Sequence, residues 1–228
     1  MSGLLAFKAA QTRSDVATLL GLKPSTLSYL LYKIAPEKKY KVFEIPKKSG
    51  GTRKITAPIG ALKAVQRRLA RLLYACCEEI DAQHNRRCVS HGFRKGRSIL
   101  TNADEHTHRR YVLNIDLEEF FPTINFGRVR GFFNKSTDFQ LDLDVATAIA
   151  QIACHDGRLP QGSPCSPVVS DLIAGALDAR MVGLAKKYGC TYTRYADDLT
   201  FSTTKWYFQR RLRVRHTIRL PLGKLASV

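Results

Sequence analysis

In "YTRYADDLTFS" (Tyr192 to Ser202), two adjacent aspartates interrupt a stretch of strand-forming residues. Strands disfavour Asp. Neighbouring like charges repel, and the cost is high where they are desolvated. Taken alone, "YADD" fits a hairpin turn, because Asp is a good turn residue. A third carboxylate shifts that balance. Asp116 closes the apolar strand signal "YVLNID". Strands that end in Asp can gather carboxylates across a sheet, and three such groups form a hard-oxygen site suited to Mg²⁺, which shares substrate phosphates. Two such ions can clamp the attacking and leaving oxygens of an in-line phosphoryl transfer. Cations and a nucleotide triphosphate would then neutralise Asp197 and Asp198.

The charge points the same way. The chain carries 37 Lys and Arg against 19 Asp and Glu, a formal net charge of +18. That excess implies a polyanionic partner. With 228 residues, 44% of them hydrophobic, there is material for one large domain or two small ones with a packed core. No apolar run reaches membrane-spanning length. The N-terminal "MSGLLAFKAAQTRSD" lacks a convincing cleavage site, so neither a membrane partner nor export is expected. The six cysteines show no paired metal spacing, which fits reduced thiols and a cytoplasmic location. "CVSH", Cys88 to His91, has ligand-like spacing but no second pair, which argues against zinc.

Periodicity orders the elements. "SDVATLLGLKPSTLSYLLYKI" predicts two short helices joined at "GLKPST", opening on a Ser-Asp cap. The pair resembles a helix-turn-helix; DNA reading, RNA docking and plain packing all fit it, the last two better. "YKVFEIPKKSGGTRKITAP" reads as a β-hairpin. "IGALKAVQRRLARLLYACCEEI" reads as an amphipathic helix. A glycine-punctuated loop, "HGFRKGRS", leads into a helix from Ser98. A strand, a turn and helices follow, then the loop "GRLPQGSPCSP", a long helix, and two short strands meeting at the aspartates. The plan is α+β with an antiparallel sheet.

Several of these segments together resemble a reverse transcriptase, most closely the bacterial retron type. "NIDLEEFFPTI", "LPQGSPCSP" and "TRYADDLTFS" are similar to the family's palm motifs in order and spacing. "IPKKSGGTRKITAP…LKAVQRRL" is similar to its fingers motif, and "NADEH" to its Asn-Ala-x-x-His signature. The resemblance covers roughly residues 36 to 204. It implies right-hand polymerase fingers and palm over 36–204, an N-terminal helical segment over 1–35, and a basic tail over 205–228 that matches no family element.

The roles implied by the resemblance fall on individual residues. Asp116, Asp197 and Asp198 would bind two Mg²⁺ ions, with the backbone carbonyl of Leu117. Phe121 would be a steric gate selecting deoxynucleotides. Lys47 and Arg53 would hold the triphosphate, Gln161 would line the incoming nucleotide, and Tyr195 would meet the primer end. Read without the resemblance, Phe121 fits a core aromatic equally well, Lys47 and Arg53 a solvated hairpin, and Gln161 a turn. The implied activity is RNA-directed DNA synthesis on a structured noncoding RNA, from deoxynucleoside triphosphates and through an RNA–DNA hybrid. An antiphage role with a defence effector protein is also implied.

The tail "KWYFQRRLRVRHTIRLPLGKLASV" has no acidic residue. The expectations there are a thumb that is missing, through frameshift or truncation, or a basic nucleic-acid arm. With the thumb would go a sheet neighbour of the strand ending at Ser202. The competing functional readings are an RNA-binding remnant with impaired catalysis, a DNA-binding regulator built on the N-terminal helix pair, and a group II intron-like or diversity-generating reverse transcriptase.

Overall fold

A computed structural model describes residues 2–46, 50–84 and 88–205, and the backbone of 218–221. The chain divides into two compact units. One comprises Met1–His84 and Ile124–Ser170, the other Asn85–Thr123 and Asp171–Val228.

The first unit is mainly helical. It contains α1 (Gly3–Ala9), α2 (Arg13–Leu19), α3 (Pro24–Tyr32), α4 (Gly60–His84), α7 (Phe126–Lys135) and α8 (Leu143–Ala153). The expected N-terminal helix pair is present as α2 and α3. Its cap is Thr12 rather than Ser14: the Thr12 hydroxyl accepts from the Asp15 amide, and the Asp15 carboxylate accepts from the Thr12 amide at 2.8 Å. Asp15 is therefore the reciprocal partner of a capping box, not the cap. On α4, Leu62, Val65, Leu69, Leu73 and Cys76 recur every three or four residues and are buried. Each such leucine contributes about 1.5–3 kcal/mol of hydrophobic stabilisation. α8 is apolar nearly all round, and Val145, Ala146, Ile149, Ile152 and Ala153 are fully buried. The predicted hairpin is β1 (Tyr40–Pro46) and β2 (Thr52–Pro58), antiparallel with Tyr40 opposite Pro58 and Pro46 opposite Thr52. Lys47 lies outside the described residues.

The second unit is built on a four-stranded sheet in the order β4-β5-β3-β6, with β3 (Tyr111–Glu118), β4 (Thr191–Tyr195), β5 (Asp198–Thr203) and β6 (Ile218–Pro221). β3, β5 and β4 pair antiparallel, as the sequence implied. β6 adds to this antiparallel core at the edge, parallel to β3. One expectation is corrected: β5 is an inner strand with neighbours on both sides. The open edge of β3 offers unpaired backbone groups, and β6 satisfies them. Apart from Lys205 and this strand, the basic tail lies outside the described residues.

Strand alternation sorts the sheet into two faces. Leu113, Leu117, Tyr192, Leu199 and Phe201 form a core with Phe120 and with Ala174 and Ala185 of α9 (Ser166–Tyr188), joined by Ile115, Leu177 and Met181. The alternate positions, Asn114, Asp116, Asp198, Thr200, Thr193 and Tyr195, lie on the opposite face by register. α5 (Ile99–Asp104) follows a Ser98 cap, as expected, and α6 (Phe120–Thr123) follows β3.

Candidate active site

The register of β3 and β5 places Asp116 directly opposite Asp198. Directly opposed residues project from the same face of a sheet. Asp197 occupies the two-residue loop between β4 and β5, and its carbonyl accepts from the Leu117 amide at 3.0 Å. Asp116, Leu117, Asp197 and Asp198 thus converge at one end of the sheet. Asp198 is open to solvent, yet its pKa is raised above the usual carboxylate range. Partial desolvation is the main cause, followed by repulsion from Asp197 and Asp116. Among the described residues, no three His, Cys, Asp or Glu side chains stand ready-gathered as a metal cage. The donor set nonetheless fits a hard divalent cation: three carboxylates near enough to repel one another, with an adjacent backbone carbonyl.

The loop before Asp197 is held by contacts with no obvious sequence signal. Ala196 has φ 55°, a left-handed conformation unusual for a residue with a Cβ. Two groups lock it there. Arg194 is wholly buried and donates to the Ala196 carbonyl at 3.1 Å. Gly92 lies so close that a Cβ on it would stand 2.3 Å from the Ala196 nitrogen. The segment around Gly92 is itself joined to β4: Arg194 N donates to Val89 O at 2.9 Å, and His91 N to Arg194 O at 2.7 Å.

Beneath the loop lies a buried ion cluster. Arg194 donates to Asp178 through Nε at 2.9 Å and Nη2 at 2.8 Å, and to Asp171 at 2.8 Å. Asp171 also accepts from Ser90 Oγ at 2.6 Å and pairs with Arg94. Tyr192 Oη donates to Asp178 at 2.8 Å. Burial and the adjacent Asp178 carboxylate drive the Tyr192 phenol far up, so it stays a donor. For Arg194, burial works against the charge, but Asp178 and Asp171 outweigh it and keep the guanidinium protonated. Two signals could have revealed this cluster. Arg194 shares strand parity with the core residue Tyr192, and Asp171 and Asp178 stand two helical turns apart in an apolar helix.

On the carboxylate face, His106 of "NADEH" spans two strands. Its Nδ1 lies 2.7 Å from Ser202 Oγ on β5, and its Nε2 lies 2.6 Å from Thr193 Oγ1 on β4. Both hydroxyl residues are buried, so this end of the face is covered while Asp198 remains open. Burial lowers the imidazole pKa.

The other expected site residues divide between the units. Phe121 is half-buried in the second unit, with ring centroids 5.5 Å from Phe120 and 6.0 Å from Phe93. Tyr195 lies opposite Asp198, on the carboxylate face. Arg53 is exposed on β2 in the first unit. Gln161 belongs to that same unit, and its carbonyl accepts from the Thr56 amide at 2.7 Å. Cys88 Sγ donates to Ser90 O, and His91 Nδ1 lies 2.8 Å from Thr101 Oγ1.

A family model described as reverse transcriptase (RNA-dependent DNA polymerase) matches residues 45–212, which include all three carboxylates. The chain belongs to the reverse transcriptase family. Among curated proteins it is 38% identical over 212 residues to the retron Mx65 reverse transcriptase of Myxococcus xanthus, a match covering 84% of this chain and 47% of that protein. It is 35% identical over 190 residues to the retron Ec86 reverse transcriptase of Escherichia coli, covering 82% and 56% respectively. The chain thus spans about half the length of the curated reverse transcriptases it matches. The fold is also similar to telomerase from Candida albicans, solved with a fragment of telomeric RNA, at TM-score 0.52 and 11% identity over 78% of this chain and 40% of that one. No helix among the described residues is long and apolar enough to cross a membrane, and the six cysteines, all described, form no disulfide.

Proposed function

We propose that this chain carries the fingers and palm of an RNA-directed DNA polymerase of the retron type. The observation that carries the reading is the register of Asp116 against Asp198, with Asp197 in the adjoining loop, on the sheet face away from the core. Asp116, Asp197, Asp198 and the Leu117 carbonyl would hold two Mg²⁺ ions. When bound, these ions supply Lewis-acid stabilisation of the attacking and leaving oxygens of nucleotidyl transfer. Two residues of the same unit supply position. Tyr195 borders the carboxylates on the primer side, and Phe121 presents a ring where a ribose 2′-OH would clash. Such a clash excludes more strongly than a missing contact. Arg53, Lys47 and Gln161 would bind the triphosphate and base of the incoming nucleotide.

The template in this reading is a structured noncoding RNA, supported by the likeness to retron enzymes and by the +18 charge. The product is single-stranded DNA, made in the cytoplasm, with an antiphage role exerted through an effector protein.

The test is Asp197→Ala, assayed for primer extension on an RNA template with Mg²⁺ and, separately, for RNA binding. Extension should fall to background while binding is retained. Normal extension by the variant would overturn the assignment. Phe121→Ala tests the gate: unchanged discrimination between ribo- and deoxynucleotides would remove Phe121 from that role.

A further inference from the structure

The carboxamide of Gln66 is fully buried on α4, and its nitrogen and its oxygen are both hydrogen-bonded. Its Nε2 donates to Ile152 O at 2.8 Å and to Tyr40 Oη at 3.2 Å. Its Oε1 accepts from Ser163 Oγ at 2.6 Å. Ser163 lies in the loop that contains Gln161, and all these residues belong to the first unit.

That loop is pinned at several points. The Gln161 carbonyl is tied to Thr56 of β2. Gly162 adopts φ +110°, and a Cβ there would stand 2.8 Å from Ile55 Cγ2 and 3.1 Å from Thr56 O, so the loop backbone lies directly on the strand. Ser166 Oγ donates to Pro160 O at 2.8 Å. β2 also carries Arg53, three residues before Thr56. The two described residues read as nucleotide contacts in this unit, Arg53 and Gln161, thus share one rigid connection, and Ser163 anchors it to α4.

We propose that Gln66 is a positioning residue for the incoming nucleotide. Its carboxamide fixes the Ser163 hydroxyl and thereby the docking of Gln161 on β2. The inference rests on the reading of Gln161 as a nucleotide contact. Gln66 itself is buried behind the loop and touches no substrate. A carboxamide suits the position because it donates to a backbone carbonyl and accepts from a hydroxyl at once. Glu would lose the donor and Leu would lose both functions.

The test uses the full chain with an RNA template–DNA primer and photo-crosslinking by 8-azido-dATP, alongside amide hydrogen exchange at Thr56. Gln66→Leu should raise the half-saturating probe concentration about tenfold or more, as small misplacements do. It should also speed exchange of the Thr56 amide by about tenfold through local opening. RNA affinity should stay unchanged. Should Gln66→Leu fail to fold, Ser163→Ala removes the same link from the loop side and should move both readouts the same way. A folded Gln66→Leu with a protected Thr56 amide and unchanged saturation would overturn the inference. Gln161→Ala separates the two layers. If it leaves saturation unchanged, the nucleotide role of Gln161 fails, while Thr56 exchange in the Gln66 variant still decides the positioning. If it weakens saturation and Gln66→Leu does not, the positioning role fails alone.

Discussion

Arg194 and Asp178 form a two-point ion pair, 2.9 Å through Nε and 2.8 Å through Nη2, with the guanidinium wholly removed from solvent. Fork-to-carboxylate geometry of this kind fixes direction as well as distance. Here it directs the third guanidinium nitrogen, Nη1, at the carbonyl of Ala196, one residue before Asp197.

Arg194→Met should therefore destabilise the fold by about 3–5 kcal/mol, the usual cost of stranding a buried charge. Asp171 and Asp178 would both lose their shared cation. Urea unfolding of the variant measures it. A loss within 0.5 kcal/mol, as at ordinary surface sites, would show that the carboxylates find other partners.

Gly92→Ala places a methyl against backbone rather than against a side chain that could swing away. We expect about 1–3 kcal/mol of overpacking strain, with displacement of the Ala196–Asp197 loop. Primer extension should fall at least tenfold, since catalytic groups tolerate little misplacement. An active, fully stable Gly92→Ala protein would mean that the close approach is dispensable.

Asp198 is raised in pKa by partial desolvation first and then by Asp197 and Asp116, so its charged form is disfavoured in the metal-free site. Asp198→Asn should raise thermal stability in chelator by less than about 1 kcal/mol, because the group is open to solvent and screened. Extension should be abolished in the same variant. Stability that falls instead would mean that the carboxylate makes a net favourable contact.

His106 is held below its ordinary pKa of 6.5 by burial, so the neutral ring is the form that folding favours. A group whose folded pKa is depressed contributes fully above its unfolded value, and the contribution fades as pH falls through the folded value. Glu105 opposes the shift, while His91 and Arg109 add to it. The wild type should thus lose stability below about pH 6.5 more steeply than His106→Gln, whose amide can bridge the same hydroxyls without titrating. Melting curves across pH 5–8 test this, and parallel profiles for the two proteins would refute it.

The order of elements was legible because periodicity is local. The 3.6-residue pattern of α4 and the alternation of β3 need no knowledge of partners. The convergence of Asp116, Asp197 and Asp198 was legible as well, since strand-end carboxylates have few bland explanations. The supports were not. Arg194 reads as one more basic residue among 37 Lys and Arg until α9 supplies its carboxylates. Gln66 reads as a polar interruption of a helix until Ser163 arrives from 97 residues away. The Thr12 cap was missed because Ser14 and Asp15 offered a more familiar signal, and only backbone geometry decides between them.

The stitch made by His106 to Ser202 joins groups 96 positions apart. Such a pairing has a consequence in time. A ribosome releases the N-terminal side first, at roughly 5–20 residues per second, so β3 and the "NADEH" segment leave the tunnel seconds before β5 exists. During that interval one apolar face of β3 has no strand beside it, and the long separation makes closure slow. The carboxylate trio is therefore among the last features of the unit to assemble, and a nascent chain stalled before Asp197 would be a target for chaperones rather than a partly active enzyme.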